Sequence, residues 1–208
     1  MSEEVGVRRL GMLTPSSNTV LEPLISAMLA GLPAVTAHFA RFCVTEISLG
    51  QGARGQFEIE PMLAAAELLA DAKVASICWN GTSAGWLGFE SDQRLCAAIS
   101  ERTGIPACSS VLALKRFSSA PASSASAWSR LPANVTNYAA AGFECVAERH
   151  LRERDNFAFP TYGEELIAKL CREVATAKPD AITTFCTNLR GAPIVAGLEE
   201  ELGRVVRG

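Results

Sequence analysis

The strongest constraint on this chain's fold is the alternation of two apolar patterns along its length. Short β-rich runs are each followed by a stretch whose apolar residues recur at helical spacing. Residues 7–14 end in Pro15-Ser16-Ser17-Asn18, after which Leu21, Leu24, Ile25, Met28 and Leu29 share one helical face. Residues 35–44 read as a second strand, 57–70 as a helix and 74–80 as a third strand. A helix over 89–102, closed by Gly104, leads to a short strand at 105–109. The second half resumes with a helix over 134–141, a strand at 143–149, a helix over 163–177, a strand at 181–185 and a helix after Gly191. This alternation predicts an α/β fold with mostly parallel sheets, whose ligands sit beyond the carboxyl ends of the strands.

The order of elements also repeats. Residues 66–83 can be laid over 170–188, each running helix, turn, apolar strand and small polar residues. In this register Gly81, Thr82 and Ser83 fall opposite Cys186, Thr187 and Asn188. Two pseudo-symmetric lobes are expected, 1–114 and 115–208, with equivalent strand ends converging on a cleft. The second lobe departs from the first in two places. Where an opening strand should stand, residues 118–129 read SSAPASSASAWS, a composition with little to bury. At the other end, residues 202–206 begin a closing strand just before Gly208, so a closing strand and helix are expected to be missing.

Composition narrows the function classes. A chain of 208 residues with 49% apolar and 20% charged residues can bury a sizeable core. Its formal net charge of -3 provides no field to draw nucleic acid or an anionic membrane, and neither is expected as a partner. The acidic start, Met1-Ser2-Glu3-Glu4, is unlike a secretory signal, and no apolar run reaches the ~20 residues that span a bilayer. A cytoplasmic location is expected. The 7 cysteines form no C-x-x-C pair and the 2 histidines, His38 and His150, lie far apart, so neither a disulfide framework nor a metal centre is indicated.

Three segments carry candidate chemistry. Gly81-Thr82-Ser83-Ala84-Gly85 satisfies G-x-S-x-G between a strand and a helix, the setting of a nucleophile elbow. A serine hydrolase would then need an acid and a histidine in that order, and the histidine available is His150, preceded by Asp92 as the sole intervening Asp. The plainer reading is a glycine-rich turn whose amides and two hydroxyls suit a carboxylate or oxyanion. Cys186 ends an apolar strand close to a helix start, where a dipole and free amides favour the thiolate, and it looks the most reactive of the cysteines. Cys43, Cys78, Cys96, Cys145 and Cys171 sit inside strand or helix patterns and are expected to be buried, whereas Cys108 is left open. Ser17 or Asn18 suits a helix N-cap, a role compatible with binding a carboxylate. Residues 152–156 read as a solvated loop.

Together these segments resemble the maleate cis-trans isomerases and arylmalonate decarboxylases of the aspartate/glutamate racemase superfamily. The resemblance rests on LTPSSNTVLEP at 13–23, NGTSAGWLGFE at 80–90, TGIPACSSVLAL at 103–114, NYAAAGFECV at 137–146, ERDNFAF at 153–159 and FCTNLRG at 185–191. It implies two α/β lobes around a central active site, with no metal or organic cofactor and a small dicarboxylate as substrate, in a possible homo-oligomer. By resemblance Cys186 is the second-lobe catalytic cysteine, and Asn18 and Asn156 hold substrate carboxylates. Ser17, Thr82, Ser83, Thr187 and Asn188 would assist them. The first-lobe cysteine position falls on Gly81, an arrangement resembling the decarboxylases. The implied activity is cis-trans isomerisation through Cys186, with decarboxylation or racemisation as alternatives. A carboxylate-binding protein without turnover is a further one, because the altered 118–129 segment lacks the family's substrate-contacting tyrosine.

Overall fold

A computed structural model describes residues 6–44, 59–117, 123–127, 132–153 and 155–207. It contains two four-stranded sheets, each wholly parallel. The first is built from β1 (Arg8–Pro15), β2 (Val35–Phe42), β3 (Ser76–Trp79) and β4 (Ala107–Ser109) in the order β2-β1-β3-β4. The second uses β5 (Ser123–Ala127), β6 (Glu144–Arg149), β7 (Ala181–Thr184) and β8 (Val205–Arg207) in the order β6-β5-β7-β8. Each sheet thus places its opening strand inside and its second strand at the edge. The same topology arises twice, as the repeat in the sequence anticipates.

The helices of the first half are α1 (Leu21–Leu29), α2 (Ile59–Asp71), α3 (Ala84–Leu87), α4 (Phe89–Thr103) and α5 (Ser110–Phe117). Those of the second are α6 (Pro132–Ala140), α7 (Glu164–Ala175) and α8 (Val195–Leu202). Gly104, at φ +71°, ends α4 in the left-handed conformation and donates its N–H to the Ser100 carbonyl at 2.9 Å. The short α3 and the helical nature of α5 are additions to the sequence pattern. None of the described helices is long and apolar enough to cross a membrane.

Two expectations about the second half are corrected. Within the Ser/Ala segment, residues 123–127 form a strand: β5 pairs with β6 from Ser123↔Glu144 to Ala127↔Arg149, with a register irregularity between Ser124 and Ala125, and with β7 from Ser124↔Ala181 to Ala127↔Thr184, while 118–122 and 128–129 lie outside the described residues. The strand is held by backbone pairing on both sides, which an apolar side-chain pattern does not report. The closing strand is also present, because β8 extends the β7 edge through Ala181↔Val205, Ile182↔Val206 and Thr183↔Arg207.

Each sheet has its own core. Leu13, Ala66, Leu69, Ile77, Trp79 and Ile99 pack together in the first half, and Ile167, Cys171, Val174, Ile182 and Val206 in the second. A third cluster joins them, with Ala84, Phe89 and Val111 against Phe185. The Tyr138 ring of α6 meets Phe89 edge-on at 5.1 Å and Phe185 at 5.6 Å between centroids. These contacts bring the carboxyl ends of β3 and β7 together.

Candidate active site

The loop after β1 is fixed by its own side chains. Asn18 is 1% exposed, and its Oδ1 accepts from the amides of Val20 at 3.1 Å and Leu21 at 2.9 Å, closing the start of α1. Only its Nδ2 remains to reach outward, and it donates to Thr187 Oγ1 at 3.3 Å. Thr187 passes the connection back by donating to the Asn80 carbonyl at 3.0 Å. Asn188 works alongside it. Its Oδ1 accepts from Thr19 N at 3.0 Å and its Nδ2 donates to the Asn156 carbonyl at 2.6 Å. Asn156 Nδ2 donates to Ser17 Oγ at 2.8 Å, and Ser17 in turn donates to the Val44 carbonyl. A guanidinium backs this loop, since Arg41 Nη1 donates to the carbonyls of Ser16 at 2.8 Å and Asn18 at 3.0 Å.

These bonds lie around a small cavity of about 30 Å³, whose lining includes Asn18, Gly81, Thr82, Ser83, Asn156, Cys186 and Thr187. That is room for about one water. Thr82, Cys186 and Thr187 also face a larger, more open pocket of about 210 Å³, walled by Val111, Leu114 and Phe185. Ser17 and Asn188 are absent from both linings; they hold the side chains that face the cavity. Pro15, Val44, Trp79 and Trp86 complete the smaller cavity and were not singled out by the sequence. A bulky aromatic next to the small Asn80-Gly81 pair is the signal that marks Trp79.

The protonation of Cys186 reverses the expectation of a thiolate. Burial pushes its thiol up to about 12, outweighing the opposing backbone hydrogen bonds at Asn188 and Leu189. The helix invoked to lower it, α8, begins only at Val195, after a 3-10 turn at Ala192–Ile194. A dipole effect confined to the first turn of that helix is too remote to matter. The thiol nearest ionisation is Cys108, lowered to about 7 by its hydrogen bond with Cys78, which it faces across β3 and β4. Burial is also corrected for several cysteines: Cys43 is exposed, and Cys78 and Cys145 are only partly buried. Cys96 and Cys171 are buried.

The G-x-S-x-G segment owes its glycines to packing. A Cβ at Gly85 would come within 2.5 Å of Phe185 and 2.6 Å of Asn134 Oδ1, so α3 can approach the second half only without one. A Cβ at Gly81 would collide with the Trp79 indole. Ser83 has ordinary helical dihedrals, φ -60° and ψ -33°, unlike the strained nucleophile of a hydrolase. His150 instead lies 3.4 Å from Glu148, and Asp92 hydrogen-bonds Ser109. The hydrolase arrangement is therefore not formed. Among the described residues no group of three His, Cys, Asp or Glu could hold a metal ion.

No protein-family model and no curated protein sequence matches this chain. Solved structures do. The maleate isomerase Iso from Pseudomonas putida S16 superposes with a TM-score of 0.83 at 20% identity, covering 96% of this chain and 86% of that one. The Nocardia farcinica maleate cis-trans isomerase bound to TRIS gives 0.82 at 24% identity over the same shares, 96% and 86%. Unliganded arylmalonate decarboxylase gives 0.71 at 21% identity, again covering 96% and 86%. The chain has the fold of these enzymes.

Proposed function

We propose that this chain is a member of the family resembled above and decarboxylates a small malonate-type dicarboxylate without a cofactor, using Cys186 as its acid. The observation that carries this reading is a neutral, buried thiol in a cavity whose other polar groups are neutral donors. Asn18 Nδ2, Asn156 Nδ2 and the hydroxyls of Thr82 and Ser83 would bind the retained carboxylate. The substituent would occupy the 210 Å³ pocket with Val111, Leu114 and Phe185. As one carboxyl leaves as carbon dioxide, the electron pair of the broken C–C bond stays behind as an enediolate. The same donors stabilise that charge, and the Cys186 S–H gives its proton to the carbon. Solvent then reprotonates the sulfur.

Isomerisation is the second reading, favoured by the higher TM-scores of the isomerases, 0.83 and 0.82 against 0.71 to 0.78 for arylmalonate decarboxylase. A cysteine-to-serine variant of the Nocardia farcinica enzyme carries a covalently bound succinylcysteine, so its adduct forms on a cysteine other than the one replaced. Here Gly81 stands where the family resemblance places the first-lobe cysteine, and Cys186 would have to add as a thiolate. Its raised pKa opposes that. Proton NMR in deuterated buffer with phenylmalonate and maleate separates the readings. Deuterated phenylacetate is the expected product, whereas fumarate would establish isomerisation. Ligand-dependent thermal stabilisation without turnover would leave a carboxylate-binding protein.

A further inference from the structure

Trp79 lines the same cavity as Cys186, yet its indole Nε1–H is buried without a hydrogen-bond partner. The residue is 1% exposed. Such a donor, shut away from water, is costly unless something accepts from it. The ring is held in place. It packs at a tilt against Phe42, 5.1 Å away between centroids, and its backbone pairs with Leu13 and Ser109 across the sheet. The edge that includes Cζ2 and Cε2 lies against Gly81, where a Cβ would come within 2.5 Å of Cε2. Nε1 is bonded to Cε2 and so lies next to the ring atoms that fill the place of a Gly81 side chain.

We propose that Trp79 is a substrate-contacting residue of this site, its indole N–H donating to a carboxylate oxygen of the bound dicarboxylate where Gly81 leaves room. This inference rests on the proposed function and deepens it. The indole of Trp79 occupies the place that a side chain at Gly81 would take. The indole is uncharged, so it stabilises an anionic oxygen without raising the acidity of Cys186 as a cation would. A donor to an oxygen that gains charge during decarboxylation acts more strongly in the transition state than on the bound substrate.

The test is the ¹H–¹⁵N spectrum of the indole groups in a Cys186→Ser variant, titrated with malonate, phenylmalonate and maleate. The chain has 3 tryptophans, and Trp86→Phe and Trp128→Phe assign Trp79 by elimination even if substitution of Trp79 itself impairs folding. The Trp79 Nε1–H resonance is expected to move downfield on binding, with slower exchange against solvent. In the enzyme with Cys186 intact, Trp79→Phe is expected to lower kcat about 10- to 100-fold with KM changed less than about 3-fold. Movement of the Asn18 and Asn156 side-chain amides while the indole stays still would overturn the inference and leave the dicarboxylate site standing. No movement of any of these groups with any of the three ligands would overturn the proposed function and the inference together.

Discussion

The two sheets share one topology, yet the ends of their equivalent strands do different work. β3 ends in Trp79 and continues into Asn80-Gly81-Thr82-Ser83, presenting bulk and neutral donors. β7 ends in Thr184 and continues into Phe185-Cys186-Thr187-Asn188, presenting a thiol and the residues that bind the halves together. Repetition of a backbone therefore fixes where side chains converge and leaves open which chemistry they bring. Here it brings one thiol, that of Cys186, to the cavity lining instead of a matched pair.

The largest expected effect comes from removing the chemistry of the second half. Cys186→Ser should lower decarboxylation at least about 10³-fold in steady-state assays, because a serine hydroxyl is a far weaker acid. Phenylmalonate should still raise the thermal midpoint of the variant. Next comes the junction. Asn188→Ala leaves the Thr19 amide and the Asn156 carbonyl without their partner, and urea denaturation should show a loss of about 3 kcal/mol.

Giving the first half a thiol tests the difference between the strand ends directly. Gly81→Cys should cost about 2 kcal/mol through overpacking against the Trp79 indole, and a Trp79→Leu background should recover most of it.

The smallest effect concerns Asp92, 2% exposed on α4, whose carboxyl is raised to about 6 chiefly by burial, partly offset by the Ser109 hydrogen bond. The folded state keeps this proton to higher pH than the unfolded chain does. Stability should therefore fall as pH rises from about 4 through 6. Asp92→Asn should flatten that dependence and gain about 1–2 kcal/mol at pH 8, as read from urea midpoints.

Much of this was legible in the sequence because apolar periodicity reports directly on sheet and helix faces. The strands around Leu13, Ile77 and Ile182 and the helices around Leu69 and Ile167 follow from that signal. β5 escaped it because Ser123 to Ala127 holds its place through backbone pairing on both sides, which leaves no apolar pattern. Cys186 was recognisable from its place at a strand end, and its protonation was not, since burial depends on residues distant in sequence. Trp79 was hidden differently. As the last residue of an apolar strand it reads as core, the small Asn80-Gly81 pair beside it is its one sequence signal, and the contact with Gly81 shows which edge of the ring lies there.

The central claim, a single neutral thiol delivering a proton to one face of a carbanion, is tested most directly with 2-methyl-2-phenylmalonate in deuterated buffer. The enzyme should release carbon dioxide and give 2-phenylpropionate carrying one deuterium at the α carbon in a single configuration, and Cys186→Ser should give none. Product of both configurations from the unsubstituted enzyme, or undiminished conversion by Cys186→Ser, would contradict the account.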